Sequence, residues 1–477
     1  MKSSTLSSMA SLLVQQGVLA GQTLHSKDAF RVNGTALPEV NFDVGASYAG
    51  LLPISADTNS SELFFWYFPR QGAHFSEEIL IWLNGGPGCS SLKGFLQENG
   101  PISWIAGTAE PVGNPWSWTN LADVVWVEQP QGTGFSKVKA TPPPPENEEE
   151  VAEQFLGFWK HFVDTFELRG KKVYIAGESY AGYYVSYIAD AMYNQSDSKN
   201  FNIDGILLYD AALSTKTVGR ETPLLPFVEY WQGLFNLNRT FMNDIRQRWK
   251  KCKYDELLQA AFTFPPKGPI LSLFEDEENP PKECELWDDV YDAATLVNPC
   301  FSEYHISDYC PFPEDVLGLF FAPKSGVYFN RTDVQKAVNA PIGEWQICNE
   351  KVLQNDTSAP VVQKVLPRVI EKSSRTIFAN GMLDFVPIVN GSIAAIQNMT
   401  WLGAQGFSIG PDQWEEFFVP HSDDGTAGGG IFGSWHTERK FTFVIVAQAG
   451  HMSPQYQPAA SYRHVEFLLG RIDSLGV

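Results

Sequence analysis

Val173-Tyr174-Ile175-Ala176-Gly177-Glu178-Ser179-Tyr180-Ala181-Gly182 is an apolar run that breaks into G-x-S-x-G, and the residues after it, as far as Met192, carry a helical pattern. A strand that turns straight into a helix needs glycine where backbones come close, and the sharp turn pushes Ser179 Oγ outward as a nucleophile. The pentapeptide alone is a weak signal; its strand–turn–helix setting gives it meaning. Similar short apolar runs recur at 79–83, 124–127, 206–209, 376–379 and 441–446, each followed by Gly, Pro or Asn turn chemistry. Together they predict an α/β fold, a mostly parallel central sheet flanked by helices. Four prolines and Glu-Asn-Glu-Glu-Glu at 142–150 mark a solvated loop that leads into an amphipathic helix near 151–167.

A serine hydroxyl is a weak nucleophile and needs a base oriented by a carboxylate. Of the 8 histidines, only His451 follows a strand, in Val444-Ile445-Val446-Ala447-Gln448-Ala449-Gly450-His451. Asp384 lies on the loop beyond the run at 376–379. The order Ser179, Asp384, His451 is the chain order of α/β-hydrolases, which sets the expected fold class. The oxyanion hole then uses the N–H of Tyr180 and a second from the glycine loop Asn84-Gly85-Gly86-Pro87-Gly88, with Gly86 as the donor. His74-Phe75-Ser76-Glu77 has metal-ligand spacing but no placed third ligand, so neither a metal nor a cofactor is expected.

The chain of 477 residues is 44% hydrophobic and 19% charged, which excludes wholesale disorder. Lys and Arg number 34 and Asp and Glu 55, a net charge of −21 at pH 7 that repels phosphate backbones and anionic lipid. Nucleic acid and membrane are therefore excluded as partners, and no long apolar run offers a membrane span. Residues 215–325 break the strand–helix alternation with four cysteines and an acidic run, and read as a cap inserted into the core. The expected organisation is a signal peptide at 1–20, a first core segment at 21–214, the cap at 215–325 and a second core segment at 326–477. Six cysteines without a C-x-x-C pair suit three disulfides. Glycosylation sequons begin at Asn33, Asn59, Asn194, Asn238, Asn330, Asn355, Asn390 and Asn398. Disulfides and N-linked glycans both point to the secretory pathway, with a secreted or vacuolar protein at its end.

Further blocks surround the elbow: Trp82-Leu83-Asn84-Gly85-Gly86-Pro87-Gly88-Cys89-Ser90-Ser91, Glu98-Asn99-Gly100-Pro101, Asn114-Pro115-Trp116-Ser117-Trp118, Glu128-Gln129-Pro130-Gln131-Gly132-Thr133-Gly134-Phe135-Ser136 and Gly450-His451-Met452-Ser453-Pro454. With Gly177 to Gly182, they resemble the serine carboxypeptidases, of a secreted fungal type, from about residue 40 to the C-terminus. The resemblance implies release of C-terminal amino acids from peptides and proteins at acidic pH, through an acyl-enzyme on Ser179. It also implies that Trp82, Asn84, Glu98 and Glu178 hold the substrate's C-terminal carboxylate. Two carboxylates facing a third repel, so Glu98 and Glu178 must share a proton. The alternative is an acyltransferase or esterase relative, which has no use for that clamp. The resemblance pairs Cys89 with Cys348, and the cap cysteines are expected to nest, Cys252 with Cys310 and Cys284 with Cys300. The family often has Gly-Asp-x-Asp where this chain has Gly381-Met382-Leu383-Asp384. Tyr183 and Ser186 replace a common His and Pro outside the triad.

Overall fold

Alternation within the apolar runs sends successive side chains to opposite faces of one sheet. The computed structural model describes residues 26–72, 76–319, 321–421 and 428–476. The expected signal peptide at 1–20 and His74 lie outside the described residues. The strands are β1 (Arg31–Val32), β2 (Ser47–Pro53), β3 (Glu62–Phe68), β4 (Glu78–Leu83), β5 (Asp123–Glu128) and β6 (Lys172–Glu178). They continue as β7 (Ile203–Tyr209), β8 (Arg375–Gly381), β9 (Glu415–Val419), β10 (Gly430–Glu438) and β11 (Phe441–Val446). Their order in the sheet is β1-β2-β3-β5-β4-β6-β7-β8-β11-β10-β9. The central strands β5-β4-β6-β7-β8-β11 run parallel, and the strands outside them pair antiparallel.

On β4, Leu80 and Trp82 pack on one side with α1 (Leu92–Gln97). Ile79, Ile81 and Leu83 pack on the other with α2 (Glu148–Phe166) and α3 (Ala181–Tyr193). The Asn147 side chain accepts from the Glu150 N–H, and Glu148, Glu149 and Glu150 oppose the helix dipole, so α2 begins inside the acidic run.

Between β7 and β8 the chain leaves the sheet. Helices α4 (Thr222–Tyr230), α5 (Arg239–Lys251), α6 (Tyr254–Ala261) and α7 (Trp287–Val297) share a core of their own around Ile245, Tyr254, Leu286 and Val290. Leu383, Phe385 and Ile388, just past β8, belong to that same core. The Phe385 ring stacks on Trp287 at 4.9 Å, and the Trp287 indole N–H donates to the Phe385 carbonyl at 3.0 Å.

Disulfides join Cys89 to Cys348, Cys252 to Cys284 and Cys300 to Cys310. The nested pairing of Cys252 with Cys310 and Cys284 with Cys300 is thus corrected to two sequential loops, with Cα–Cα distances of 5.8 and 5.0 Å. The reason is α7: it fills all but two residues on either side of the stretch between Cys284 and Cys300, so its length of about 16 Å holds the two cysteines apart, whereas the longer connection after α6 lets Cys284 return to Cys252.

Buried carboxyls set how the fold responds to pH. Glu128 accepts from Ser90, from the Phe135 N–H at 2.5 Å and from the Trp345 indole at 3.2 Å, yet burial still pushes it up to about 7. Burial also pushes Glu221 up to about 7, although it caps α7 through the Leu286 and Trp287 N–H groups, and raises Glu148 strongly. Glu128 and Glu221 bind their protons more tightly folded than unfolded, so their stabilisation is complete below about 4.5 and is lost as pH rises through 7; Glu148 acts in the same sense. His464, pushed down to about 3 by burial, acts in the opposite sense as pH falls below its unfolded value. Buried carboxyls, Asp210 and Glu178 among them, outnumber the two buried imidazoles, since burial also pushes His451 down to about 4. The melting temperature by scanning fluorimetry is expected to be several degrees higher at pH 5 than at pH 7.5; a flat or reversed profile would contradict this.

Candidate active site

β6 ends at Glu178, and Ser179 adopts φ 63°, the left-handed conformation of a sharp elbow. The elbow exists because its neighbours lack side chains. A Cβ on Gly85 would lie 2.5 Å from the Tyr180 nitrogen, and one on Gly182 would strike the Ala212 carbonyl. Ser179 is half-buried and lines a cavity of about 780 Å³ together with Gly86 and Tyr180. Neither the Gly86 nor the Tyr180 N–H bonds to an acceptor among the described residues, so both remain available to an oxyanion.

His451 and Asp384 come together where the loops after β11 and β8 meet. His451 Nδ1 lies 2.8 Å from Asp384 Oδ2, with His451 4% exposed and Asp384 wholly buried. The Ser179 hydroxyl is hydrogen-bonded to no described residue, a looseness common before substrate binds. Burial pushes His451 down to about 4, so the imidazole is neutral and can accept a proton well into the acid range.

Both loops are held by the insertion. The His451 N–H donates to the Tyr304 carbonyl at 2.7 Å, the Phe385 N–H to Glu303 at 2.9 Å, and the Ile306 N–H to Leu383 at 3.1 Å. They are held again by Asp210, which directly follows β7 and which the sequence reading missed. Its Oδ1 accepts from Asn380 Nδ2 at 2.8 Å and the Gly381 N–H at 2.6 Å, and its Oδ2 from Ser453 Oγ at 2.7 Å. Burial and the neighbouring Asp384 raise Asp210, and its carboxyl is hydrogen-bonded to Asp384. Asp384 faces His451 and the Val386 N–H, so it holds the charge and Asp210 the proton. The signal in the sequence was an acidic residue directly after a buried apolar run.

Trp82, Asn84, Glu98 and Glu178 form one buried cluster beside the elbow. The Trp82 indole donates to Asn84 Oδ1 at 2.7 Å, which turns Asn84 Nδ2 toward Glu178 Oε1 at 2.9 Å and Glu98 Oε1 at 3.4 Å. Asn114 Nδ2 donates to the Gly100 carbonyl at 2.9 Å, and the Trp118 N–H donates to Asn99, fixing the loop that carries Glu98. Burial and Glu98 drive Glu178 well above the carboxylate range, against the pull of Lys93. Lys93 is a second residue the sequence reading passed over: its Nζ donates to Glu98 Oε1 at 3.2 Å.

The family model for serine carboxypeptidases matches residues 38–470. A probable serine carboxypeptidase of Arthroderma benhamiae is 49% identical over 94% of this chain and 87% of its own. The serine-type carboxypeptidase F of Aspergillus niger is 40% identical over 92% and 87%. Among solved structures, a prohormone-processing carboxypeptidase of Saccharomyces cerevisiae superposes with a TM-score of 0.73 at 24% identity, covering 94% of this chain and 96% of that one.

Asp210→Ala is expected to lower kcat roughly 100-fold by loosening both loops. Asp210→Asn, which keeps an acceptor for Asn380 and Gly381, should recover most of it; equal losses in the two variants, measured on a blocked dipeptide, would rule out this positioning role.

Proposed function

Because the chain belongs to the serine carboxypeptidase family and is a serine-type carboxypeptidase, we propose that Ser179 is its nucleophile, His451 its general base and Asp384 the carboxylate that orients His451. Ser179 Oγ attacks the last peptide carbonyl while its proton passes to His451 Nε2. Asp384 holds the Nδ1–H and stabilises the imidazolium. The oxyanion rests on the Gly86 and Tyr180 amides. His451 then returns the proton to the leaving amino acid, and water, activated by the same imidazole, hydrolyses the acyl-enzyme.

The observation that carries the reading is the position of the carboxyl cluster. Glu178 immediately precedes Ser179 and meets Glu98 through Asn84. A carboxyl pair sharing one proton donates to a substrate carboxylate and places the terminal peptide bond, rather than an internal one, at the serine. Trp82 acts through Asn84, whose orientation it fixes. The acyltransferase or esterase alternative draws no support from relatives that bear the carboxypeptidase name.

Passage through the secretory pathway is part of the same proposal, supported by the three disulfides. No helix of the described residues is long and apolar enough to cross a membrane. Among the sequons, Asn33, Asn59, Asn238 and Asn355 are exposed and suit glycans best. Asn194, Asn330 and Asn398 are exposed too, but both amide atoms of each are bonded, to Asp190 and Lys372, to the backbone of Trp345 and to that of Ile270, and Asn390 is half-buried.

The test is release of the terminal amino acid from an N-blocked dipeptide and from its C-terminal amide. Cleavage of the free acid is expected to exceed that of the amide by roughly two orders of magnitude near pH 5; equal rates would sink the proposal, as would failure of a fluorophosphonate to label Ser179. The profile of kcat/KM should rise near pH 4, as His451 becomes neutral, and fall where the Glu98–Glu178 pair loses its proton. Glu178→Gln, which cannot lose that donor, is expected to extend the falling limb to higher pH.

A further inference from the structure

The carboxyl cluster contains a cation that no motif announces. Lys93, on α1, is 6% exposed, with Nζ 3.2 Å from Glu98 Oε1 and 3.7 Å from Glu178 Oε1. Glu98 and Glu178 face it directly; Asp315 stands beyond them, bonded to Gln97 on the same helix, and the Lys93 charge also reaches His451 and Tyr304. Burial opposes the ammonium charge, and the two carboxyls more than reverse that. A buried ammonium persists only where it is compensated in this way.

The count of charges shows what it does. With one proton between Glu98 and Glu178, the pair without Lys93 carries a negative charge, and a substrate carboxylate would double it in a water-poor pocket. With Lys93 the cluster is neutral before substrate arrives.

We propose that Lys93 is a specificity-determining residue that acts through Glu98 and Glu178, supplying the positive charge against which the substrate's C-terminal carboxylate is bound. The proposal rests on the carboxylate-binding reading above. It has a second consequence of definite sign: an ammonium favours ionised carboxyls, so Lys93 also lowers the pH at which the pair gives up its shared proton. Lys93 therefore tightens recognition and shortens the alkaline side of the working range.

The experiment compares KM for a blocked dipeptide acid with KM for the corresponding C-terminal methyl ester, across pH, in Lys93→Met, Lys93→Arg and Glu178→Gln. Lys93→Met should raise the acid-to-ester KM ratio roughly tenfold or more and move the falling limb of kcat/KM to higher pH, while Lys93→Arg restores the ratio. Should Lys93→Met not fold, Glu98→Gln against Lys93→Met/Glu98→Gln gives the same ratio without an unpaired charge. Equal changes in acid and ester with an unmoved limb would overturn the role of Lys93. An unaltered ratio in Glu178→Gln would instead overturn the carboxylate-binding reading itself, and Lys93's role with it.

Discussion

Backbone crowding at the C-terminal ends of the parallel strands is the constraint from which the site follows. There the elbow after β6, the loop after β4 and the loops after β8 and β11 approach so closely that side chains have no room. A Cβ on Gly381 would strike the carbonyl of Gly450, and one on Gly450 would strike the carbonyl of Tyr304. That contact brings the segments carrying Asp384 and His451 side by side. The chemistry sits on rigid strand ends, where a displacement of about 1 Å would be costly.

The second constraint is charge in a place with little water. Asp384 with Asp210, and Glu178 with Glu98, are both pairs of buried carboxyls, and in each the neighbour helps to hold a proton that an isolated carboxyl would release. The pairs are compensated differently. Behind the imidazole the compensation is neutral donors from Asn380, Gly381, Val386 and Ser453, which fix geometry. Beside the elbow it is the ammonium of Lys93, which fixes charge.

The six parallel strands were legible because each is buried on both faces and reads as a short continuous apolar run. The antiparallel flanks were less legible: β10 is only partly buried and begins with Gly430, so its pattern is diluted. Ser179, Asp384 and His451 could be placed because each follows a strand that could be placed. Asp210 follows one too, but its four partners come from distant segments that only folding brings together. Lys93 sits in Leu92-Lys93-Gly94-Phe95, where a lone lysine reads as a solvated face of a helix; its burial depends on Glu178, 85 positions away in the numbering. The pairing of the cap cysteines is illegible for a similar reason, since it depends on the helix α7 that separates Cys284 from Cys300.

The segment at 303–306 hydrogen-bonds to both the acid loop and the base loop, and this has a bearing on modularity. An insertion that merely roofed a pocket could be exchanged between related enzymes like a tool head. Here the roof is also a bracket for the machine beneath it. Chimaeras that cross over within the insertion must carry residues 303–306 with the C-terminal half, or the graft will lose the hydrogen bonds that hold the Asp384 and His451 loops.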